Sequence, residues 1–579
     1  MHTRKALAGL AVAAAAAASL AAIPAVAQAE PAPALSGPST QYVVAAKAGA
    51  DLTAAAADVR EAGGRVVKTN PAAGTLTATA PEHGFVTRVA QRPTLLGAAR
   101  NAPIGEVPQN TRPARDRIER LGAAERRGAE RPASARPGKG KSRPPGVPAA
   151  EPLAGLQWDM AQIGATPTGS YARQRGSKRV LVGIMDTGVD GTHPDIAPNF
   201  DTTRSRNFTT DIPDIDGPCE VASCVDPANV DDNDHGTHVA STIGSPINGL
   251  GVAGVAPDVQ LVNIRAGQDS GYFFLGPVVD AFVYAGQAGI DVVNMSFYVD
   301  PWLYNCTANP KDSTEAQQEQ RTIRTLVQRA ADYAVKRGVT LVAAMGNEAT
   351  DLGHPTSDDT SPDYPAGAAY DRDIDNSCLS MPTEARGVIA VTSTGPSLRK
   401  AYYSNYGTEQ ADVAAPGGDA YDTPGGTRDL AGLILAAYPE SLALASGAIT
   451  VPGGAPVASR PEVIRDCRQG TCAYYQYLQG TSMASPHAAG VAALIVAQHG
   501  KKTGHGGQTL APAQTQRILY ASASKTPCPA PRAYPYTRHL PDGTTATSTH
   551  TCEGGLSHNG FYGHGIVNAA AAVSGRRSG

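Results

Sequence analysis

The sequence lacks the marks of several protein classes. Beyond an apolar run that ends near Ile23, no hydrophobic stretch reaches membrane-spanning length, so we expect no membrane span and a soluble mature chain. The basic N-terminal part lacks interleaved aromatic residues and any recognisable nucleic-acid module, so nucleic acid is not an expected partner. No His-Glu-x-x-His pattern accompanies His235 and His238, and this pair therefore does not indicate zinc.

Charge is unevenly distributed along the 579 residues. Residues 1–150 carry a net charge of +10, whereas residues 151–579 carry a net charge of −13. A basic front and an acidic body predict two parts with different roles.

The N-terminus has the pattern of an export signal. Arg4 and Lys5 precede an alanine-rich apolar run, and Ala25-Val26-Ala27 offers small residues for cleavage. We therefore expect a signal peptide at residues 1–29 and a secreted, extracellular protein.

The eight cysteines fit an even number of disulfides. Neighbours in sequence are Cys219 with Cys224, Cys467 with Cys472, and Cys528 with Cys552, which leaves Cys306 with Cys378. Eight cysteines allow 105 connectivities, so proximity suggests this pairing without fixing it.

Two segments of different composition follow the signal. Strand-like runs such as Tyr42-Val43-Val44 and a helix-like segment at 51–62 predict a small α+β unit at 30–100. Residues 101–150 are rich in Arg, Pro, Gly and Ala and predict a disordered basic linker. Such a linker serves as a solvated spacer, as an easily cleaved maturation region, or as both.

Residues 151–579 predict one α/β domain. Apolar runs of strand length alternate with helix-compatible stretches; the runs lie at 179–185, 261–264, 291–295 and 340–344. This alternation is typical of a doubly wound, mostly parallel sheet with helices on both faces. Functional groups gather at the carboxyl ends of such strands, and Asp186 and Asn347 both follow strands.

Three motifs hold the residue types of a nucleophilic triad. They are Asp186-Thr-Gly, His235-Gly-Thr-His and Gly480-Thr-Ser482-Met-Ala. A serine hydroxyl needs an adjacent base, usually a histidine, and that histidine needs a carboxylate to orient it. The chain order Asp, His, Ser differs from the order in α/β-hydrolases, where the acid and the histidine follow the serine.

Further motifs extend the pattern to a known family. They are Ala343-Ala-Met-Gly-Asn347-Glu, Tyr403-Ser-Asn-Tyr-Gly-Thr and Gly563-His-Gly-Ile-Val-Asn568. Together with the triad motifs they resemble subtilisin-type serine proteases (subtilases, peptidase S8) over about residues 156–575. The resemblance implies a subtilisin-like fold, protein or peptide substrates, a monomer, and no cofactor for catalysis. It also implies that residues 30–100 are a ferredoxin-like, inhibitor-like propeptide that blocks the enzyme within the same chain.

The resemblance assigns a role to each candidate catalytic residue. Ser482 is the expected nucleophile, His235 the general base and acid, and Asp186 the group that orients His235. Asn347 and the backbone N–H of Ser482 are the expected oxyanion hole. The sequence thus predicts a secreted serine endopeptidase that works through an acyl-enzyme, made as a precursor.

One departure from the family keeps alternatives open. Asn294-Met295-Ser296 is followed by Phe297-Tyr298-Val299, where the family has Leu-Gly-Gly. Bulky residues here change the strand that pairs with substrate, and with it the specificity pocket. The alternatives are a catalytically silent or highly restricted binding protein on the same scaffold, and an esterase that uses Ser482.

Two places are candidates for a structural calcium ion. The 201–234 loop contains many acids, namely Asp211, Asp214, Asp216, Asp226, Asp231, Asp232 and Asp234. Hard cations prefer carboxylate ligands. The same acidic residues are also compatible with a solvated surface loop that binds no ion. Asp195 and Asn248 match the position of a family calcium site, and the sequence leaves the choice open.

Overall fold

The computed structural model describes residues 39–101, 116–120, 126, 151–365, 367–503 and 507–574. The predicted signal peptide and most of the predicted 101–150 linker lie outside these described residues. The division into signal, propeptide, linker and peptidase domain at residues 29, 100 and 150 stays a prediction.

The N-terminal unit is a small α+β fold. Its elements are β1 (Ser39–Ala46), α1 (Leu52–Glu61), β2 (Arg65–Asn70), β3 (Thr75–Pro81), α2 (Phe85–Ala90) and β4 (Leu95–Arg100). The strands form an antiparallel sheet in the order β2-β3-β1-β4. This β-α-β-β-α-β order is the ferredoxin-like arrangement. Asp51 caps α1 by accepting hydrogen bonds from the N–H groups of Thr53 and Ala54.

The rest of the chain supplies helices and strands in alternation. The helices are α3 (Asp116–Glu119), α4 (Trp158–Gln162), α5 (Pro213–Asp216), α6 (His235–Gly244), α7 (Leu275–Ala288), α8 (Thr314–Lys336), α9 (Glu440–Ala445), α10 (Thr481–His499), α11 (Pro512–Ser522) and α12 (Ala569–Ala572). Within the described residues, no helix combines the length and hydrophobicity needed to cross a membrane.

The strands of this part are mostly short. They are β5 (Leu181–Met185), β6 (Arg206–Asn207), β7 (Gln260–Arg265), β8 (Val292–Met295), β9 (Thr340–Ala344), β10 (Ser357–Asp358), β11 (Arg372–Asp373), β12 (Val388–Thr394), β13 (Val413–Pro416), β14 (Ile434–Tyr438), β15 (Val463–Arg468), β16 (Thr471–Leu478), β17 (Lys501–Lys502), β18 (Gln508–Thr509), β19 (Ala533–His539) and β20 (Thr545–Thr551).

Seven of these strands form the central sheet, in the order β13-β12-β9-β8-β5-β7-β6. All six neighbouring pairs in this order are parallel. The strands other than the edge strand β6 are buried on both sides, which explains why the sequence shows continuous apolar runs rather than alternation. The predicted parallel α/β fold is confirmed.

Both faces of the sheet carry a hydrophobic core. Along β9, Val342 belongs to the core that includes α6 and α10, whereas Leu341 and Ala343 belong to the core that includes α7 and α8. Successive side chains of a strand point to opposite faces, so each apolar residue of the run fills one of the two cores. The buried helix α10 brings Ser482 onto one of these faces.

The predicted 417–477 insertion forms a separate antiparallel sheet in the order β14-β16-β15. It packs against α6, where the Nε2 atom of His238 lies 3.2 Å from the carbonyl oxygens of both Ile434 and Gln476. The insertion therefore supports the helix that His235 begins.

The structure contains all four cysteine pairs that proximity suggested. They are Cys219–Cys224, Cys306–Cys378, Cys467–Cys472 and Cys528–Cys552. Three of them close loops of 24 residues or fewer, whereas Cys306–Cys378 spans 72 residues.

The sheet of the N-terminal unit packs on α7 and α8. The Nη1 atom of Arg329 donates to the carbonyl oxygens of Ala46 and Ala73, at 3.1 and 3.2 Å. At the edge, Lys68 Nζ pairs with Asp280 at 2.6 Å. The N-terminal unit therefore docks on one side of the domain that holds the triad motifs.

Candidate active site

Asp186 lies directly after β5, at the carboxyl edge of the central sheet. It is fully buried, and its Oδ1 atom accepts a hydrogen bond from the N–H of Thr187 at 2.8 Å. The same oxygen lies 2.7 Å from Nδ1 of His235. The carboxylate thus holds one ring nitrogen of the histidine and leaves Nε2 to face the cleft.

His235 begins α6, and its backbone is held from two sides. A Cβ added at Gly236 would lie 2.0 Å from the carbonyl oxygen of Gly188, so only glycine allows the helix to approach β5 this closely. Asp231 connects the two segments: Oδ1 accepts from the hydroxyl of Thr187, and Oδ2 from the N–H and hydroxyl of Thr237. Asp231 is therefore a positioning residue whose role the acidic composition of its loop did not reveal.

Two opposing effects act on the pKa of His235. Burial disfavours the charged imidazolium, but the carboxylates of Asp186 and Glu119 outweigh burial and raise the pKa well above its usual value. Relative to an isolated histidine, the protonated form of the ring is therefore favoured in this arrangement. A general base must be neutral, so this state is unsuited to take a proton from serine.

Ser482 is the second residue of α10. Its N–H is among the first four of the helix, which have no carbonyl partner within the helix and face a developing negative charge favourably. Its Oγ atom donates to Oε1 of Glu119 at 2.5 Å. His235 Nε2 lies 3.3 Å from the other oxygen of the same carboxyl group. Glu119 therefore bridges the serine and the histidine.

The side-chain amide of Asn347 points to the same place. Its Oδ1 accepts hydrogen bonds from the N–H and the hydroxyl of Thr481, both at 2.9 Å. This fixes the orientation of the amide, so that Nδ2 donates to Oε1 of Glu119 at 3.1 Å. The four predicted site residues thus converge, with Glu119 at the centre of three of them.

Glu119 is a site residue that the sequence did not reveal. It lies in the 101–150 segment, for which composition predicts disorder, yet it is 1% exposed and ends the short helix α3. Gln479 N–H donates to its carbonyl oxygen, and Arg120 pairs with Asp234, which directly precedes His235. The structure differs from the expectation of disorder at residues 116–120. The one signal was a pair of large aliphatic residues, Ile118 and Leu121, in a segment poor in them.

The departure at Phe297-Tyr298-Val299 is accommodated by packing. The ring of Phe297 stacks on Phe273 with centroids 4.1 Å apart, and Tyr298 donates its hydroxyl to Asp363 at 2.5 Å. Tyr298 also lines the pocket beside Ser482, together with Leu303 and Met345. The wall of this pocket is therefore aromatic where the family has glycine.

At the family calcium position, internal hydrogen bonds satisfy the carboxylate. Asp195 accepts from the Asn248 amide, from the N–H of Val252 and from the hydroxyl of Tyr475, each at 3.1 Å. The Asn248 oxygen in turn accepts from the N–H of Leu250 at 2.9 Å. Each of these oxygens therefore has a donor among the described residues, and the calcium site at this position stays a prediction.

A parallel α/β sheet with a carboxylate, an imidazole and a serine hydroxyl at one edge has the features of a serine hydrolase. Comparison with known proteins agrees: the pattern of the subtilase family matches residues 177–565. The chain belongs to the subtilase family of serine endopeptidases.

Individual relatives are distant. A thermophilic serine proteinase of Bacillus sp. (strain AK1) is 29% identical over 325 residues, which cover 56% of this chain and 54% of that protein. Subtilisin DY of Bacillus licheniformis is 28% identical over 394 residues, which cover 68% of this chain and 90% of the length of subtilisin DY. The match therefore spans about half of the first relative and most of the second.

A solved structure supports the fold. The epidermin leader peptide processing serine protease of Staphylococcus aureus aligns with a TM-score of 0.57 and 19% sequence identity. The alignment covers 93% of this chain and 100% of that one. Both the N-terminal unit and the main domain therefore have counterparts in a known protease fold.

Proposed function

We propose that this protein is a secreted serine endopeptidase in which Ser482, His235 and Asp186 form the catalytic triad. The supporting observation is that Ser482 Oγ, His235 Nε2 and Asn347 Nδ2 all contact one carboxyl group, that of Glu119. A nucleophile, a base and an oxyanion donor that meet at one planar carboxyl group can also meet at a peptide carbonyl.

In the first half-reaction, Oγ of Ser482 forms a bond to the carbonyl carbon of the substrate while its proton passes to Nε2 of His235. Asp186 orients the ring through Nδ1 and stabilises the imidazolium. The negative charge on the carbonyl oxygen is stabilised by Asn347 Nδ2 and the N–H of Ser482. The C–N bond then breaks, and the leaving amine takes the proton from His235.

The second half-reaction releases the acyl group. Water attacks the ester carbon and gives a proton to His235 Nε2, and the same two donors stabilise the second tetrahedral intermediate. The ester bond breaks, Ser482 regains its proton, and the peptide leaves as a carboxylate. This chemistry needs no metal or organic cofactor, as in other subtilases.

We further propose that the N-terminal part keeps the precursor inactive through Glu119. The product of peptide hydrolysis is a carboxylate, and the carboxyl group of Glu119 accepts from the side-chain amide of Asn347 and from the hydroxyl of Ser482, two groups that such a product would also contact. It also stabilises the protonated form of His235, which cannot act as a base. On this proposal the inhibitor is part of the same chain, and the blocking carboxylate comes from the predicted 101–150 linker rather than from the inhibitor-like propeptide predicted at 30–100.

The test of the catalytic proposal is covalent labelling with a fluorophosphonate, which reacts with an activated serine. We expect the matured protein to be labelled and to cleave casein. Ser482→Ala should lose both properties and accumulate as an unprocessed precursor. A protein that matures normally with Ser482→Ala, or an intact matured protein that is not labelled, contradicts the proposal and favours a silent binding protein.

The choice of substrate distinguishes the proposed endopeptidase from the esterase alternative. We expect the matured protein to cleave a peptide anilide and a protein, because the cleft belongs to an endopeptidase family. Hydrolysis of lipid esters with no cleavage of peptides contradicts this.

A further inference from the structure

An arginine of the N-terminal part lies against the loop that leads into His235. Arg120 directly follows Glu119, and its Nη1 atom donates to Oδ2 of Asp234 at 2.5 Å. Its Nη2 atom donates to the carbonyl oxygen and to the side-chain oxygen of Asn233, at 3.1 and 3.2 Å. One guanidinium group thus has three acceptors, all from the two residues that precede His235.

The main domain holds these acceptors in place. The N–H groups of Asn233 and Asp234 both donate to Oδ1 of Asp231, at 3.2 Å. The Nδ2 atom of Asn233 donates to the carbonyl oxygen of Asp269 at 2.7 Å, which orients the side-chain oxygen of Asn233 towards Arg120. These bracing contacts all come from the main domain, so we expect them to remain when the predicted 101–150 linker is removed.

The carboxylate of Asp234 needs a cation at this place. Its side chain is 6% exposed, and Arg120 is the one described residue from which it accepts a hydrogen bond. Its Oδ1 atom has no hydrogen-bond partner among the described residues. A buried carboxylate that loses its partner carries a large desolvation penalty. In the proposed maturation, removal of the linker therefore leaves a buried negative charge that a new cation would neutralise.

The arrangement fits a guanidinium group better than an ammonium group. Asp234 and Asn233 accept from different nitrogens of Arg120, Nη1 and Nη2. A guanidinium is planar and carries its donors in a fixed fork, whereas the ammonium of lysine is a compact point charge. Lysine can pair with the carboxylate, but it lacks the fork that contacts both residues at once. The acceptors therefore favour arginine over lysine.

This arginine site adjoins the place of the reacting carbonyl. Arg120 is the next residue after Glu119, and consecutive Cα atoms lie about 3.8 Å apart. In the proposed mechanism, the carboxyl group of Glu119 occupies the position of the substrate carbonyl, between Ser482 and Asn347. A substrate arginine that reaches the same acceptors therefore lies within about two residues of the bond that is cleaved.

A second arginine of the linker defines no comparable site. The Nη1 atom of Arg126 lies 3.7 Å from Oε1 of Glu462, too far for a hydrogen bond. Glu462 already accepts from Nε of Arg460 at 2.6 Å, so the main domain itself supplies its cation. Asp234 is thus the acid of the two that depends on the linker.

We propose that Asp234 and Asn233 form a subsite that selects an arginine side chain of the substrate next to the scissile bond. The proposal rests on the proposed endopeptidase activity and narrows its substrate class to arginine-containing peptides. In the precursor, Arg120 fills the subsite. In the matured enzyme, an arginine of the substrate takes its place.

The test uses pairs of internally quenched peptides that differ in one side chain. Each pair carries either arginine or citrulline, its uncharged isostere, at one of the two positions on each side of the cleaved bond. Mass spectrometry of the products identifies that bond, and kcat/KM is measured with the matured protein. We expect the arginine peptide to be cleaved at least tenfold more efficiently at one position, with the lysine peptide between the two.

Asp234→Asn should lower the ratio of kcat/KM for the arginine and citrulline peptides at least fivefold. Asp234 has a φ of 84°, and asparagine tolerates this left-handed conformation, so the variant keeps the backbone of the loop. Because the ratio is taken within one variant, an effect of the substitution on turnover cancels. The matched control is Asp232→Asn, which removes the same charge two positions earlier in the same loop.

A second variant guards against misfolding of the first. Asn233→Ala removes one of the three acceptors and should lower the ratio at least twofold. Thermal melts and casein cleavage show whether each variant is folded. If Asp234→Asn does not fold, the ratio in Asn233→Ala decides.

Two results overturn the proposal while the endopeptidase activity stands. One is an equal kcat/KM for the arginine and citrulline peptides at all four positions, which would mean that Asp234 serves only to hold the linker. The other is a ratio that is unchanged in the folded variants, or that falls equally in Asp232→Asn. A matured protein that cleaves neither the peptides nor casein refutes the proposed function, and the arginine subsite falls with it.

Discussion

Ser482 Oγ donates a hydrogen bond of 2.5 Å to the carboxyl group of Glu119, a residue 363 positions earlier in the chain. In the proposed mechanism, this contact fills the place where the substrate carbonyl binds. The other oxygen of the same carboxyl group lies 3.3 Å from Nε2 of His235. Latency and catalysis thus depend on the same few atoms.

Replacing Glu119 should weaken latency. In Glu119→Ala, Asn347 and Ser482 lose the hydrogen-bond acceptor that they share. The pKa of His235 should fall, because one of the two carboxylates that raise it is removed. We expect the intact precursor to be labelled by a fluorophosphonate at least tenfold faster than the parent. Labelling is measured over minutes on the electrophoretic band of the full-length protein. Glu61→Gln, which alters a prosegment carboxylate far from Ser482, is the control, and equal rates in all three proteins contradict the prediction.

Asn347→Ala should reduce turnover with little change in KM. The amide contributes most when negative charge develops on the carbonyl oxygen, and loss of the equivalent asparagine from a subtilisin costs about 10²–10³ in kcat. Steady-state kinetics on a peptide anilide measure both constants. A thermal melt shows whether the variant is folded. A rise in KM with unchanged kcat would instead assign Asn347 to substrate binding.

Stability should fall in acid because of His238. Burial lowers the pKa of His238 to about 4, so the folded state holds it neutral while the unfolded chain titrates near 6.5. A depressed pKa of this kind contributes stability above pH 6.5 that is lost as the pH falls towards 4, by about 3 kcal/mol at most.

The measurement is urea unfolding of the Ser482→Ala chain at pH 4, 5, 6 and 7. His238→Gln should flatten the dependence between pH 6.5 and 4, whereas His83→Gln, at an exposed position, should leave it unchanged. An identical slope in His238→Gln and the parent would mean that other groups carry the acid sensitivity.

Gly97→Val should loosen the N-terminal unit from the main domain. A Cβ at Gly97 would lie 2.3 Å from the hydroxyl oxygen of Thr322 on α8, so a larger side chain forces the two surfaces apart. We expect faster hydrogen exchange in α8 of the Ser482→Ala chain. The neighbouring Leu96 is 43% exposed, and Leu96→Ala is the matched control. Unchanged exchange in Gly97→Val would show that the interface tolerates the extra volume.

Much of the fold was predictable because its signals are local. The runs that became β5, β7, β8 and β9 are continuous and apolar, and a strand buried on both faces needs such a run. The triad motifs each lie where a strand ends or a helix begins, so the local structure around them could be predicted from the sequence. Close cysteine pairs were also predictable, since a short loop brings two thiols together with little entropy cost.

What the sequence did not show depends on contacts between distant segments. Glu119 contacts Ser482 and His235, which lie far away in the sequence, and a basic, proline-rich composition says nothing about where a chain runs. The calcium question was left open for the same reason. Acidic residues in the 201–234 loop were evident, but Arg265, which pairs with Asp226 of this loop, and Asp269 come from another part of the chain.

In the proposed latent precursor, the covalent attachment of Glu119 to the domain that holds Ser482 has a consequence for dilution. A tethered group acts at an effective concentration on the order of millimolar, whatever the concentration of the protein in its surroundings. The precursor should therefore stay silent however far it is diluted after export. Once the chain is cut between Glu119 and the main domain, the same contact becomes bimolecular, and dilution alone then favours release of the active enzyme.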